Sequence, residues 1–246
     1  MELNLKISPK SFTRVLLIIV STLLILHILY IVSRFFYGYS YRDYLKIFYL
    51  DDEGNIPTLY ATISIAIASI LLFIVGFIKK KLNQEKYGYW YFLGVLFMLL
   101  SYDEAASMHE HINDIFWDKY PDLPALLGFG WVIPYFILLI IFGLFFLKFI
   151  KSLPRRTAIL FILAGAVFVT GAMGMEFIGA YLWATAGGQD SLLYNFFATL
   201  EELLEMLGIV LFIYAILDYI DKEYGDIINI NFESTSKNTS KNTIRV

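Results

Sequence analysis

Residues 15–31 read VLLIIVSTLLILHILYI, a run with no charged side chain and a single histidine. Lipid offers no partners to backbone N–H and C=O groups, and roughly 20 mostly apolar residues in a helix cross a bilayer, so this run reads as a membrane helix. Lys6, Lys10 and Arg14 precede it as in a signal peptide. The run is longer than a usual signal core and no small-residue cleavage site follows, so a retained first helix is expected.

Working outward, the same texture recurs along the chain. The 246 residues are 59% hydrophobic and 18% aromatic, with a mean hydropathy of +0.66, well outside the balance of soluble domains. Hydropathy predicts an all-α, six-transmembrane-helix bundle, with helices near 12–36, 56–78, 87–113, 128–150, 156–184 and 191–220 in a single domain over 1–228. Pro57, Pro134 and Pro154 sit where helices begin or end, as their missing N–H groups require. The stretch 229–246 is rich in Ser, Asn, Thr and Lys, lacks periodicity, and is expected to be a disordered tail.

The chain has no cysteine, which removes disulfides, zinc–thiolate sites, Fe–S clusters and cysteine nucleophiles. A net charge of -3, with basic residues in short clusters beside the spans, argues against nucleic acid and for membrane lipids as the surrounding partner. Those clusters alternate along the chain: Lys6, Lys10 and Arg14; Lys79, Lys80, Lys81 and Lys86; Lys148, Lys151, Arg155 and Arg156. Short-loop Lys and Arg stay cytoplasmic, so the expected topology in the cell membrane is N-in and C-in. The first external loop, 37–55, has aromatic residues between charges and is either a short interfacial helix or a plain connector. Asp51, Asp52 and Glu53 within it read as a solvated loop end, with Glu53 able to reach inward.

Three segments break the apolar pattern: SYDEAASMHEH over 101–111, GME over 174–176 and TLEELLE over 199–205. In the expected topology all three fall at one depth, in the outer half of the bilayer. Each ionisable residue in a span costs on the order of 2.5–3.5 kcal/mol, so the group must be offset by mutual hydrogen bonding, a water-filled cavity or a bound cation. At roughly 100° per residue, Asp103 shares a face with Glu110, Glu104 with His111, and Glu201 with Glu205. Glu176 shares a stripe with Gly165, Ala172, Gly179 and Ala180, small residues that let helices approach, so it is expected to face protein.

A Glu, Asp and His shell suits Zn, Mn or Fe, and inward carboxylates from several helices build the di-iron sites of four-helix bundles, although the Glu-x-x-His pairs of those bundles are absent here. The candidate ligands of a divalent metal are Glu104, His109, Glu110, Glu176, Glu202 and Glu205, with Asp103 or Glu201 as general base. His111 reads as interfacial and His27 as a packed, hydrogen-bonded histidine. Which of Glu201 and Glu202 turns inward is open.

The segments SYDEAASMHE (101–110), GME (174–176) and TLEELLEMLG (199–208), with IPT at 56–58, resemble a group of prokaryotic multi-pass membrane proteins, over about 50–220 of this chain. The resemblance carries no activity with it and supports only the choice of residues. Intramembrane hydrolases of the alkaline ceramidase and progestin-receptor-like superfamily are similar in placing His and acids in a helical bundle. Their paired late histidines are missing, since no histidine follows His111, so the likeness implies architecture alone.

Three functions fit these features: a metal-dependent membrane enzyme acting on a lipid-like substrate, a proton- or cation-coupled transporter or channel, and a non-catalytic bundle with a structural polar network.

Overall fold

The computed structural model describes residues 8–37, 42–119 and 130–225. Helix α1 (Pro9–Val32) runs on through a π turn (Ser33–Tyr37), and a short α2 (Arg42–Leu45) continues as a 3-10 turn to Phe48. Then follow α3 (Ile56–Lys81), α4 (Tyr87–Ala106), α5 (Met108–Lys119), α6 (Val132–Ile150) and α7 (Arg155–Val169). A π turn (Thr170–Met175) joins α7 to α8 (Glu176–Ala186), and α9 (Leu192–Tyr224) ends the bundle. There is no strand among the described residues.

Five helical segments have the length and composition to cross a membrane: Pro9–Tyr37, Ile56–Lys81, Val132–Ile150, Arg155–Ala186 and Leu192–Tyr224. Helix α4 is 20 residues long, but its tyrosines and Asp103–Glu104 make it less apolar. The exterior fits lipid as solvent. On α6, Leu144 (66%), Leu138 (60%) and Ile141 (58%) lie open on the outer face, where water would penalise them.

Local chemistry sets the helix starts. Asn55 caps α3 by accepting from the Thr58 N–H at 3.0 Å, with Pro57 in the first turn, and the Ser191 side chain caps α9. The α3–α4 turn is tight, with Asn83 and Lys86 in the left-handed region.

Helix α9 is the axis of the fold: α1, α3, α7 and α8 all pack on it, and α4 pairs with α3. Close approach depends on glycine. A Cβ on Gly208 would stand 2.8 Å from the Phe168 backbone nitrogen, and one on Gly171 would stand 2.7 Å from the Glu201 carbonyl oxygen. Both helices therefore meet backbone to backbone, as small residues permit in membrane bundles. In the α3–α4 pair, Ser69 donates to the Gly94 carbonyl at 2.7 Å and Ser101 to the Thr62 carbonyl at 2.9 Å.

Two expectations change. The third helix does not run to 113: it ends at Ala106, and Ser107 takes a left-handed conformation (φ 49°, ψ 42°) before α5 begins. The projection that put Asp103 with Glu110 and Glu104 with His111 assumed one continuous helix and does not hold across this break. Nor does Gly165 share the Glu176 stripe; it is exposed, while Ala164 is buried. The π turn between them adds one residue to the helical path, which rotates everything before it by about 100° and brings Ala164 onto the face assigned to Gly165. The expected disordered tail lies outside the described residues.

Candidate functional site: an acid-lined opening

The end of the bundle where α1 ends and α9 starts gathers the acidic residues. On α9, Glu201, Glu202 and Glu205 sit about 14–20 Å from its first residue, at about 1.5 Å per residue. Absence of a side chain at Gly171 brings this stretch against the π turn, where an added Cβ would be 3.0 Å from the Glu205 Cγ. Directly after that turn comes Glu176, which shares a hydrogen bond with Glu201. A bond between two carboxyl groups requires a proton on one of them. The indole N–H of Trp131, at the start of α6, donates to Glu176 Oε1 at 2.7 Å.

The other wall comes from α4, α5 and the loop before α3. Glu205 lies within electrostatic reach of Glu104, His109, Glu176 and Glu53, and Glu202 within reach of Glu205, Glu104, Glu53 and Asp51. Both α9 glutamates left open by the sequence therefore turn inward, Glu201 toward Glu176 and Glu202 toward Glu104. His109 stands between carboxylates, Nδ1 3.3 Å from Asp103 Oδ2 and Nε2 3.8 Å from Glu53 Oε1. That placement suits a ring with a proton on each nitrogen, and His109 would have to give up one carboxylate to ligate a metal. Asp103 also accepts from the Tyr135 hydroxyl at 3.1 Å.

Glu53, Asp103, Glu104, His109, Glu176, Glu201, Glu202 and Glu205 are each half-buried. They lie among protein atoms yet keep part of their surface accessible, and together they form one half-buried acidic cluster. Arg34, Lys46, Arg156 and Lys222 form ion pairs with carboxylates outside this group, namely Asp190, Asp52 and Asp218. Among the described residues, no three His, Asp or Glu side chains stand in an arrangement ready to hold a metal ion.

Of the residues expected from the sequence, Asp103, Glu104, His109, Glu176, Glu201, Glu202 and Glu205 come together. Glu110 lies on α5 with its side chain outside the described residues. His111 is exposed and its Nδ1 bonds the Ser107 carbonyl at 2.8 Å, as an interfacial histidine would. His27 is buried: Leu50 N–H donates to its Nδ1 at 3.1 Å, which makes Nε2 the donor to Thr199 Oγ1 at 2.8 Å.

Asp51 departs from expectation. It is not a solvated loop end but accepts from Tyr49 at 2.9 Å, Tyr194 at 3.1 Å and Gln189 at 3.2 Å. Burial pushes its carboxyl up to about 6 against the pull of those donors, and burial together with Asp51 raises the Tyr49 phenol. The Tyr49 hydroxyl also meets Asn195 Oδ1 at 2.9 Å, tying the loop to α9 beside the opening. Trp131 and Tyr135 escaped the sequence reading. Their signal was an aromatic N–H and O–H beside Pro134, at the helix start that shares the depth of the acids.

A chain whose described residues are helical, with membrane-length apolar helices and a half-buried carboxyl cluster at one end, is the class that fold and site define. Residues 15–219 match the family described as Domain of unknown function (DUF8692), and the chain belongs to that family. No match was found among curated proteins or among solved structures.

Proposed function

We propose that this is a six-span membrane protein, both termini cytoplasmic, whose acidic opening holds a divalent metal ion and acts on a lipid-like substrate. The observation that carries this reading is the convergence of carboxylates from α4, α8 and α9 on one half-buried opening while Arg34, Lys46, Arg156 and Lys222 pair elsewhere. Such a charge concentration needs an internal cation or shared protons. Glu104, Glu202 and Glu205 are the core of the donor set, Glu176 its edge. Hard carboxylate oxygens with one imidazole nearby suit Mn, Fe or Zn. Glutamate side chains have three rotatable bonds, so closing on an ion needs rotamer changes and no backbone movement. When bound, such a metal would polarise a carbonyl or phosphoryl oxygen or acidify a water. Asp103 and His109, already in contact, are placed to hold and move a proton, and Glu201 is the second candidate base.

A second reading, proton- or cation-coupled transport, is favoured by the carboxyl–carboxyl hydrogen bond of Glu176 and Glu201. Against it stands the apolar packing below the acids. Phe97 lies two turns below Glu104 and Phe212 two turns below Glu205, and their rings stack at 4.6 Å. Ile209, Ile213 and Ile216 continue that seal along α9.

Elemental analysis of detergent-purified protein, beside a Glu176→Gln/Glu205→Gln variant, tests the metal. Stoichiometric Mn, Fe or Zn that disappears in the variant supports the reading. Absence of metal in both after loading with each ion sinks it and moves the weight to proton coupling or a structural network.

A further inference from the structure

At the opposite, basic end of the bundle lies a second cavity, of about 170 Å³, between the end of α3, the start of α4, the α6–α7 turn and α9. Lys79, Glu85, Lys86, Trp90, Phe149 and Tyr219 are among the residues lining it. Trp90 is fully buried, stacks on Tyr219 at 4.9 Å and packs edge-on to Phe149 at 5.4 Å, yet its indole Nε1–H has no partner among the described residues. A buried donor left without an acceptor costs free energy, and a cavity beside it offers a place for one. Lys79 is held in position by Gln84 at 2.9 Å and the hydroxyls of Tyr219 and Tyr224 at 3.3 and 3.4 Å. Those contacts fix the ammonium without a carboxylate, so its charge remains to be matched. Lys86 is exposed at the rim, and Glu85 partly offsets the two lysines.

We propose that this cavity binds a singly charged phosphate group, and that its source is the headgroup of an anionic phospholipid. One net positive charge from Lys79, Lys86 and Glu85 matches one phosphodiester, and the indole N–H supplies a directed donor that lysine lacks. The size suits a headgroup and excludes a bulky nucleotide. Lys80, Lys81, Lys151 and Arg155 lie around the same end, where a basic belt meets anionic lipid.

The test uses the full chain in detergent, delipidated and then titrated with phosphatidylglycerol, phosphatidylcholine or inorganic phosphate, with bound species read by native mass spectrometry. The variants are Trp90→Phe, which keeps the ring stack and loses the N–H, and Lys86→Gln, an exposed change that does not touch the core. Phosphatidylglycerol should bind at least tenfold more tightly than phosphatidylcholine, and each variant should lose roughly three- to tenfold, the worth of one hydrogen bond or charge. Displacement of the lipid by millimolar inorganic phosphate would support the phosphate site while assigning it to a soluble ligand. Equal retention of both lipids, unchanged in both variants, would overturn the site.

Discussion

The indole of Trp131 holds Glu176 by a 2.7 Å hydrogen bond, fixing the one acid that arrives on the wall made by the π turn. Trp131→Phe removes that donor together with part of the ring that packs against Tyr135 and His109. It should lower stability by about 1–3 kcal/mol, read as a fall in the thermal unfolding temperature in detergent. A change below about 0.3 kcal/mol would mean the bond does not hold Glu176.

The Glu201 and Glu176 side chains are hydrogen-bonded to each other. Glu201→Gln donates an amide N–H to Glu176 without needing a proton and should be tolerated, whereas Glu201→Ala removes this hydrogen bond, leaves Glu176 with the Trp131 donor and should cost about 0.5–1.5 kcal/mol. Equal unfolding temperatures for the Gln and Ala variants would remove the pair from the account.

Asp51 carries a pH signature. Its carboxyl is raised from 3.8 to about 6 in the folded protein, so the folded state binds that proton more tightly than the unfolded one. The resulting stabilisation is complete below about pH 4 and is lost as pH rises through 6. Between pH 4 and pH 7 the unfolding temperature should therefore fall more in the native protein than in Asp51→Asn. Parallel curves would contradict the burial of this carboxyl.

Gly208 on α9, at its contact with α7, and the open Gly165 on α7 should separate cleanly. Gly208→Ala places a Cβ against the Phe168 backbone and should destabilise by about 1–3 kcal/mol, while Gly165→Ala enters open space and should be neutral or slightly stabilising. Circular dichroism melts of the two variants make the comparison. A neutral Gly208→Ala would show that the helices do not meet where described.

Much of this was legible in the sequence, because lipid enforces it. Apolar runs must be helices, and charge inside them must cluster, so the long helices and the gathering of seven of the eight candidate residues could be read from the sequence alone. What stayed hidden depends on one or two backbone torsions. No glycine or proline announces the break at Ser107, and Gly171 and Gly174 in the 170–175 turn permit an extra residue without specifying one, yet each feature resets which residues share a face. Asp51 was misread for a different reason: its partners Tyr194 and Gln189 are distant in the chain, and a short acidic loop looks the same whether water or protein satisfies it.

The Phe97–Phe212 stack gives the acidic opening a floor. On the proposed reading the stack closes the acidic site on one side, so a molecule that reaches the acids leaves by the way it came. Arrival and departure would then share the side where His109 stands on the short helix beyond Ser107.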